Sequence, residues 1–164
     1  MGAMKLLKAI LLCLLVVFIY SCAESEKVTA ILTSKFESND RIEFILSLTS
    51  EEKVKLEVFS DAKGSLMLGS LGHNFKGQRE IILSDRRGER ELVDISLDNP
   101  YRVKFYADLK YLENGKLKLD FGELGFIEFN EGERLEVGVV FFPIEGSSFS
   151  SNDGIVSNFV PMNI

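Results

Sequence analysis

Alternation of apolar and polar residues is the feature that most restricts how this chain can fold. Ile42, Phe44, Leu46 and Leu48 alternate with Glu43, Ile45 and Ser47, and Val54, Leu56 and Val58 alternate with Lys55, Glu57 and Phe59. The pattern returns at Val103, Phe105 and Ala107, at Leu117, Leu119 and Phe121, and at Leu135, Val137 and Val139. Successive side chains of a strand point to opposite faces, so each run predicts a strand with one apolar and one largely polar face. Turn chemistry falls between the runs at Asn39-Asp40, Asp61-Ala62-Lys63-Gly64, Asp85-Arg86-Arg87-Gly88, Asn114-Gly115 and Glu131-Gly132. In the two Asp-x-x-Gly segments the carboxylate is expected to accept backbone N–H bonds while glycine takes a positive φ. Asn114-Gly115 predicts a tight type I′ hairpin.

No 3.6-residue periodicity follows residue 21, so the expected fold is all-β. About eight or nine antiparallel strands should pack as a two-sheet β-sandwich of the immunoglobulin-like kind. An up-and-down β-barrel is the alternative, although the chain has no tryptophan and so lacks the one lipocalins carry near their first strand. Residues 137–144 are apolar on both faces, as suits a strand buried between layers or covered by another chain. A Ser-rich stretch then leads to a short apolar tail at 155–162. That tail is expected either to pack as an edge strand on its own sheet or to add to a partner's sheet. Phe142, Phe149, Phe159 and Met162 are the candidate partner contacts.

The amino terminus reads as a targeting segment. Lys5 and Lys8 precede an apolar run from Ala9 to Tyr20, and no acidic residue occurs before Glu24. A run of about a dozen residues is short for a bilayer, whose hydrocarbon needs roughly 20 helical residues. It ends in Ile19-Tyr20-Ser21-Cys22, which resembles the lipobox of bacterial lipoproteins. The resemblance implies cleavage before Cys22, diacylglyceryl attachment to its sulfur, and lipid anchoring in a bacterial cell envelope, at the outer membrane or a periplasmic leaflet. Residues 1–21 are then the signal peptide, 22–27 a short tether, 28–144 the β-sandwich domain, and 145–164 the Ser-rich segment and apolar tail. Cys13 would leave with the signal, so the mature chain would have Cys22 as its sole cysteine and no internal disulfide. Loss of Lys5 and Lys8 leaves 17 basic against 25 acidic residues, a net charge of −8. Such an acidic chain is not suited to nucleic acid or to adsorption on anionic lipid.

The residues suggest no catalytic chemistry. His73 is the only histidine, in a Gly72-His73-Asn74 loop with no nucleophile elbow nearby, so no two-histidine metal site is available. Asp120, Glu123, Glu128, Glu131 and Glu133 lie close in sequence, but a glycosidase needs two carboxyls about 5–10 Å apart across a cleft. Asp120 and Glu128 are better read as polar-face residues of neighbouring strands. Ser151-Asn152-Asp153-Gly154 offers too few oxygen ligands for calcium. Gly69-Ser70-Leu71-Gly72 lacks the lysine of a phosphate loop, and Arg86, Arg87 and Arg90 with Glu89 and Glu91 form a charged turn. No cofactor or metal is expected.

The run from Ile42 through Gly64, with Leu66-Met67 following, resembles the paired B and C strands of bacterial immunoglobulin-like domains. The expectation from sequence is therefore a lipid-anchored, non-catalytic module for protein–protein contact, assembly or adhesion. An envelope binding protein holding an apolar small molecule or lipid is the alternative, since 13 phenylalanines would line a pocket as readily as a core.

Overall fold

The computed structural model describes residues 28–77, 88–144, 154–162 and 164. The expected signal peptide, Cys22 and its tether, Phe149, Arg86, Arg87 and Ser151-Asn152-Asp153 lie outside these. In chain order the strands are β1 (Val28–Ser38), β2 (Arg41–Ser50), β3 (Val54–Phe59), β4 (Leu66–Leu71), β5 (Arg90–Ile95), β6 (Tyr101–Tyr111), β7 (Lys116–Asp120), β8 (Phe126–Asn130), β9 (Leu135–Phe141), β10 (Ile155–Val156) and β11 (Val160–Met162). The protein is all-β, with two antiparallel layers facing each other across one core.

The larger layer has five strands in the order β1-β2-β6-β7-β8. In the other, β9 is central, with β4 on one side and β10 followed by β11 on the other. Strands adjacent in space are often distant in sequence, β2 beside β6 and β4 beside β9, so the alternative of a sequentially wound up-and-down barrel is not what forms. The edges of the layers are nevertheless joined. Ala30 of β1 bridges Ser157, and Lys76 exchanges backbone hydrogen bonds of 2.8 and 2.9 Å with Phe126 of β8. Asn158 reinforces the first junction, accepting from the Leu32 N–H at 2.7 Å and donating to the Leu32 carbonyl at 3.1 Å.

Period-two patterning explains the core. Ile42, Phe44, Leu46 and Leu48 are fully buried on one side of β2, and the register sets them beside Ala107, Phe105, Val103 and Tyr101 of β6. Phe44 and Phe105 stack with ring centroids 5.3 Å apart and planes 8° from parallel. Phe121 tilts against Phe44 at 5.3 Å, and Phe75 against Phe121 at 5.7 Å. From the facing layer Leu135, Val137, Val139 and Phe141 enter the same cluster.

β3 and β5 extend the β2–β6 pair around a bend. The β2–β6 register ends at Leu48 and Tyr101 and resumes at Val54 and Ile95. At the corner Asn99 bonds through its side chain to the Asp94 carbonyl at 2.7 Å, and its N–H donates to the Ser96 hydroxyl at 3.1 Å. The two runs that resembled paired B and C strands are therefore successive parts of one bent ribbon: β2 pairs with β1 and β6, and β3 with β5.

Two expected turns differ in form. Asp61 precedes a 3-10 turn over Ala62–Ser65 that carries the chain from β3 to β4, and its carboxylate makes no capping bond there. The β6–β7 hairpin forms, but Asn114 keeps a negative φ and only Gly115, at +76°, is left-handed. Gly115 N–H donates to the Leu112 carbonyl at 3.0 Å, and Leu112 N–H donates to that of Lys116 at 2.8 Å. This is a three-residue loop with a bulge instead of a type I′ turn, because asparagine accepts either hand of helix while glycine at the third position absorbs the strand twist.

Phe44→Ala removes a fully buried ring packed on Phe105 and Phe121 and should lower unfolding stability by about 3–5 kcal/mol. Tyr111→Ala, at a site 76% exposed, should change it by less than about 0.5 kcal/mol. Denaturant titration of the domain from residue 24 onward checks both.

Candidate interaction surface

The two layers present different outer faces. On the five-stranded sheet, Glu43 points away from the core yet is only 3% exposed. Its register neighbours are Lys35 on β1 and Tyr106 on β6. Lys104 Nζ lies 2.6 Å from one carboxylate oxygen, Lys35 Nζ 2.9 Å from the other, and the Tyr106 hydroxyl donates at 3.3 Å. Arg41 closes the group by sitting 4.4 Å over the Tyr106 ring. The hydrogen bonds from Lys104 and Lys35 outweigh desolvation and hold the Glu43 carboxyl at about 2, below its ordinary 4.5.

A second group lies on β6, β7 and β8. Asp120 is burdened by burial, which alone would raise its pKa, but Lys110 at 2.9 Å, Lys118 at 3.0 Å and the Gly122 N–H bring it to about 2 from 3.8. Glu128 pairs with Lys76 at 2.7 Å, and its carboxyl is held low by that bond. Lys118 and Glu128 are cross-strand partners, and Asp120 lies two pairs along on the same face, so these carboxylates are polar-face neighbours as their spacing suggests. Glu133 bonds the Asn130 backbone at 2.8 Å and meets His73 Nε2 at 3.0 Å, tying the 72–77 loop to the β8–β9 turn. Glu123 and Glu131 are exposed on turns away from these pairs. Carboxylates ionised and paired in this way act as fixed acceptors for lysines. Among the described residues no group of three or more His, Cys, Asp or Glu is placed to hold a metal ion, and no helix is long and apolar enough to cross a membrane.

The outer face of the four-stranded layer is apolar. Met67, Val140 and Val156 form one cross-strand row on β4, β9 and β10. The next row is Gly69 and Gly138, and the ring of Phe159 covers Gly138 so closely that an added Cβ would lie 2.9 Å from it. Leu71 and Glu136 follow. Of the expected contact residues, Phe142 is half-buried and Phe159 is exposed on this face. Met162 is 4% exposed and packed in the core, because β11 pairs with β9 through Val160, Pro161 and Met162. The tail thus packs on its own sheet. Met67 and Val156 were not anticipated as surface residues of this patch, since their place beside Val140 depends on pairings between separate segments.

The ionised carboxylates set an acid limit. With folded pKa values near 2 and ordinary values of 4.5 and 3.8, Glu43 and Asp120 bind more protons in the unfolded chain between those limits. Their stabilisation is complete above about pH 5 and declines as pH falls through about 2. Glu43→Gln should flatten the Glu43 part of this slope and lower stability at pH 7 by leaving Lys35 and Lys104 facing each other. Urea midpoints measured from pH 2 to 7 check it.

No protein-family model, curated protein or solved structure matches this chain.

Proposed function

We propose that this chain is a lipid-anchored bacterial envelope lipoprotein that works without catalysis, as a protein–protein contact module in assembly or adhesion. The observation that carries the anchoring is the Ile19-Tyr20-Ser21-Cys22 segment after a basic, then apolar, stretch. The contact role is supported by the domain's surface: the covered carboxylates Glu43, Asp120 and Glu128 are occupied by lysines, and the interior at the Phe44, Phe105 and Phe121 stack is filled by rings.

Protein contact is assigned to the end of the five-stranded sheet remote from the tether. β1 runs from Val28 to Phe36, and β6, parallel to it two strands away, runs out to Tyr111. Phe36 and Tyr111 are 49% and 76% exposed toward that end, roughly 27 and 40 Å along the strands from where β1 begins. Exposed aromatic side chains at a rigid hairpin end supply the large, low-entropy contacts on which interfaces depend.

Cys22→Ser is expected to abolish acyl labelling and shift the protein from the membrane to the soluble fraction; unchanged retention would sink the anchored reading. A photo-crosslinking residue at Tyr111 in living cells should give a discrete protein adduct, weakened at least about five-fold by Phe36→Ala. No adduct from a correctly anchored chain would overturn the contact role.

A further inference from the structure

We infer that the apolar outer face of the four-stranded layer rests on the bilayer surface, so that the domain lies flat beside its anchor; this rests on the anchored reading above. The face comprises Met67, Leu71, Val140, Phe142, Val156 and Phe159. Met67, Leu71, Val156 and Phe159 are between 38% and 61% exposed, an unusual concentration of bare apolar surface on one side of a domain with a net negative charge.

Where the chain enters the domain identifies the occupant. Ala30 and Ser157 are parallel partners, so Thr29 lies across from Val156, about 5 Å away in the sheet. Val28 begins β1 one residue earlier. Five residues separate Cys22 from Val28, and the six Cα-to-Cα steps between them span at most about 20 Å. An acylated Cys22 in the headgroup region therefore holds the Val156 edge of this face within immediate reach of lipid.

Charge placement agrees. Outward positions on β4, β9 and β10 include one charged residue, Glu136, and Arg134 pairs with it. The outer face of the five-stranded sheet carries Lys35, Glu43, Lys104, Lys110, Lys118 and Asp120. Only the first face can lose water against lipid without stranding ions, and its lack of lysines suits contact with uncharged headgroups. Phe142 and Phe159 are accordingly assigned to lipid, and Phe36 and Tyr111 reach sideways along the membrane to a protein.

The test uses the full lipidated chain, reconstituted in phosphatidylcholine vesicles. With the Cys22 sulfur in a thioether, Val156→Cys and Tyr111→Cys each present one reactive thiol for a nitrobenzoxadiazole label. Spin-labelled lipid is expected to quench the label at 156 at least about two-fold more than at 111, and aqueous iodide to quench it correspondingly less. Equal iodide quenching at the two sites, on chains whose mass shows the acyl groups, overturns the inference while leaving the anchor intact. So does iodide protection at 156 that appears only in cells and comes with a protein crosslink there. A chain that mass measurement shows to be unacylated overturns the anchored reading instead.

Discussion

Pairing of β2 with β6 is the contact from which the remaining structure follows. It joins residues some sixty positions apart, aligns Phe44 with Phe105 in a stacked pair, and places four fully buried residues of β2 along the midline of the larger layer. Everything else is arranged around that midline. β1 is held to one side of it by a tight hairpin and β7 to the other, while the continuation past residues 51–53 and 96–100 bends over as β3 and β5. Non-local pairings of this sort carry the loop-closure entropy of the long connection between them, so the hydrophobic gain at Phe44, Phe105 and Phe121 has to be large and concentrated.

The lysine-paired carboxylates Glu43, Asp120 and Glu128 lie on the outside of that sheet, where they do a second structural job. Glu43 would be an exposed residue by alternation alone. Its neighbours Lys35 and Lys104 bring their ammonium groups to its two oxygens, and it is only 3% exposed. The same arrangement at Asp120 links β6 and β7. These pairs fix the register of the central strands from outside while the aromatic stack fixes it from inside, so sliding one strand by a residue would break both sets together.

Much of the core was legible in the sequence because period two is a local property. Ile42, Phe44, Leu46, Val103, Phe105, Leu117, Leu119, Val137 and Val139 all face inward as their alternation requires. What could not be read depended on distant partners or on residues with two equally good local states. Asn114-Gly115 marks a hairpin, but asparagine's tolerance of either helical hand leaves the turn type to strand twist. Asp61-Ala62-Lys63-Gly64 has the composition of a hairpin turn and forms a 3-10 crossing between layers, because β3 and β4 have different partners. The apolar outer face was half visible: residues 137–144 were apolar on both sides, but whether Met67 and Val156 flank Val140 or lie elsewhere is decided by registers that span up to 73 positions.

The position of β1 has a mechanical meaning. It is the strand that follows the tether proposed for residues 22–27, and its ten register pairs with β2 run nearly its full length toward the end that carries Phe36. A pull between Cys22 and a partner held at that end would act along the strand axis. The cross-strand hydrogen bonds lie perpendicular to that axis and would be loaded together in shear, whereas a pull from the side would open them one pair at a time. In the anchored arrangement proposed above, the domain would therefore transmit tension lengthwise with little yielding.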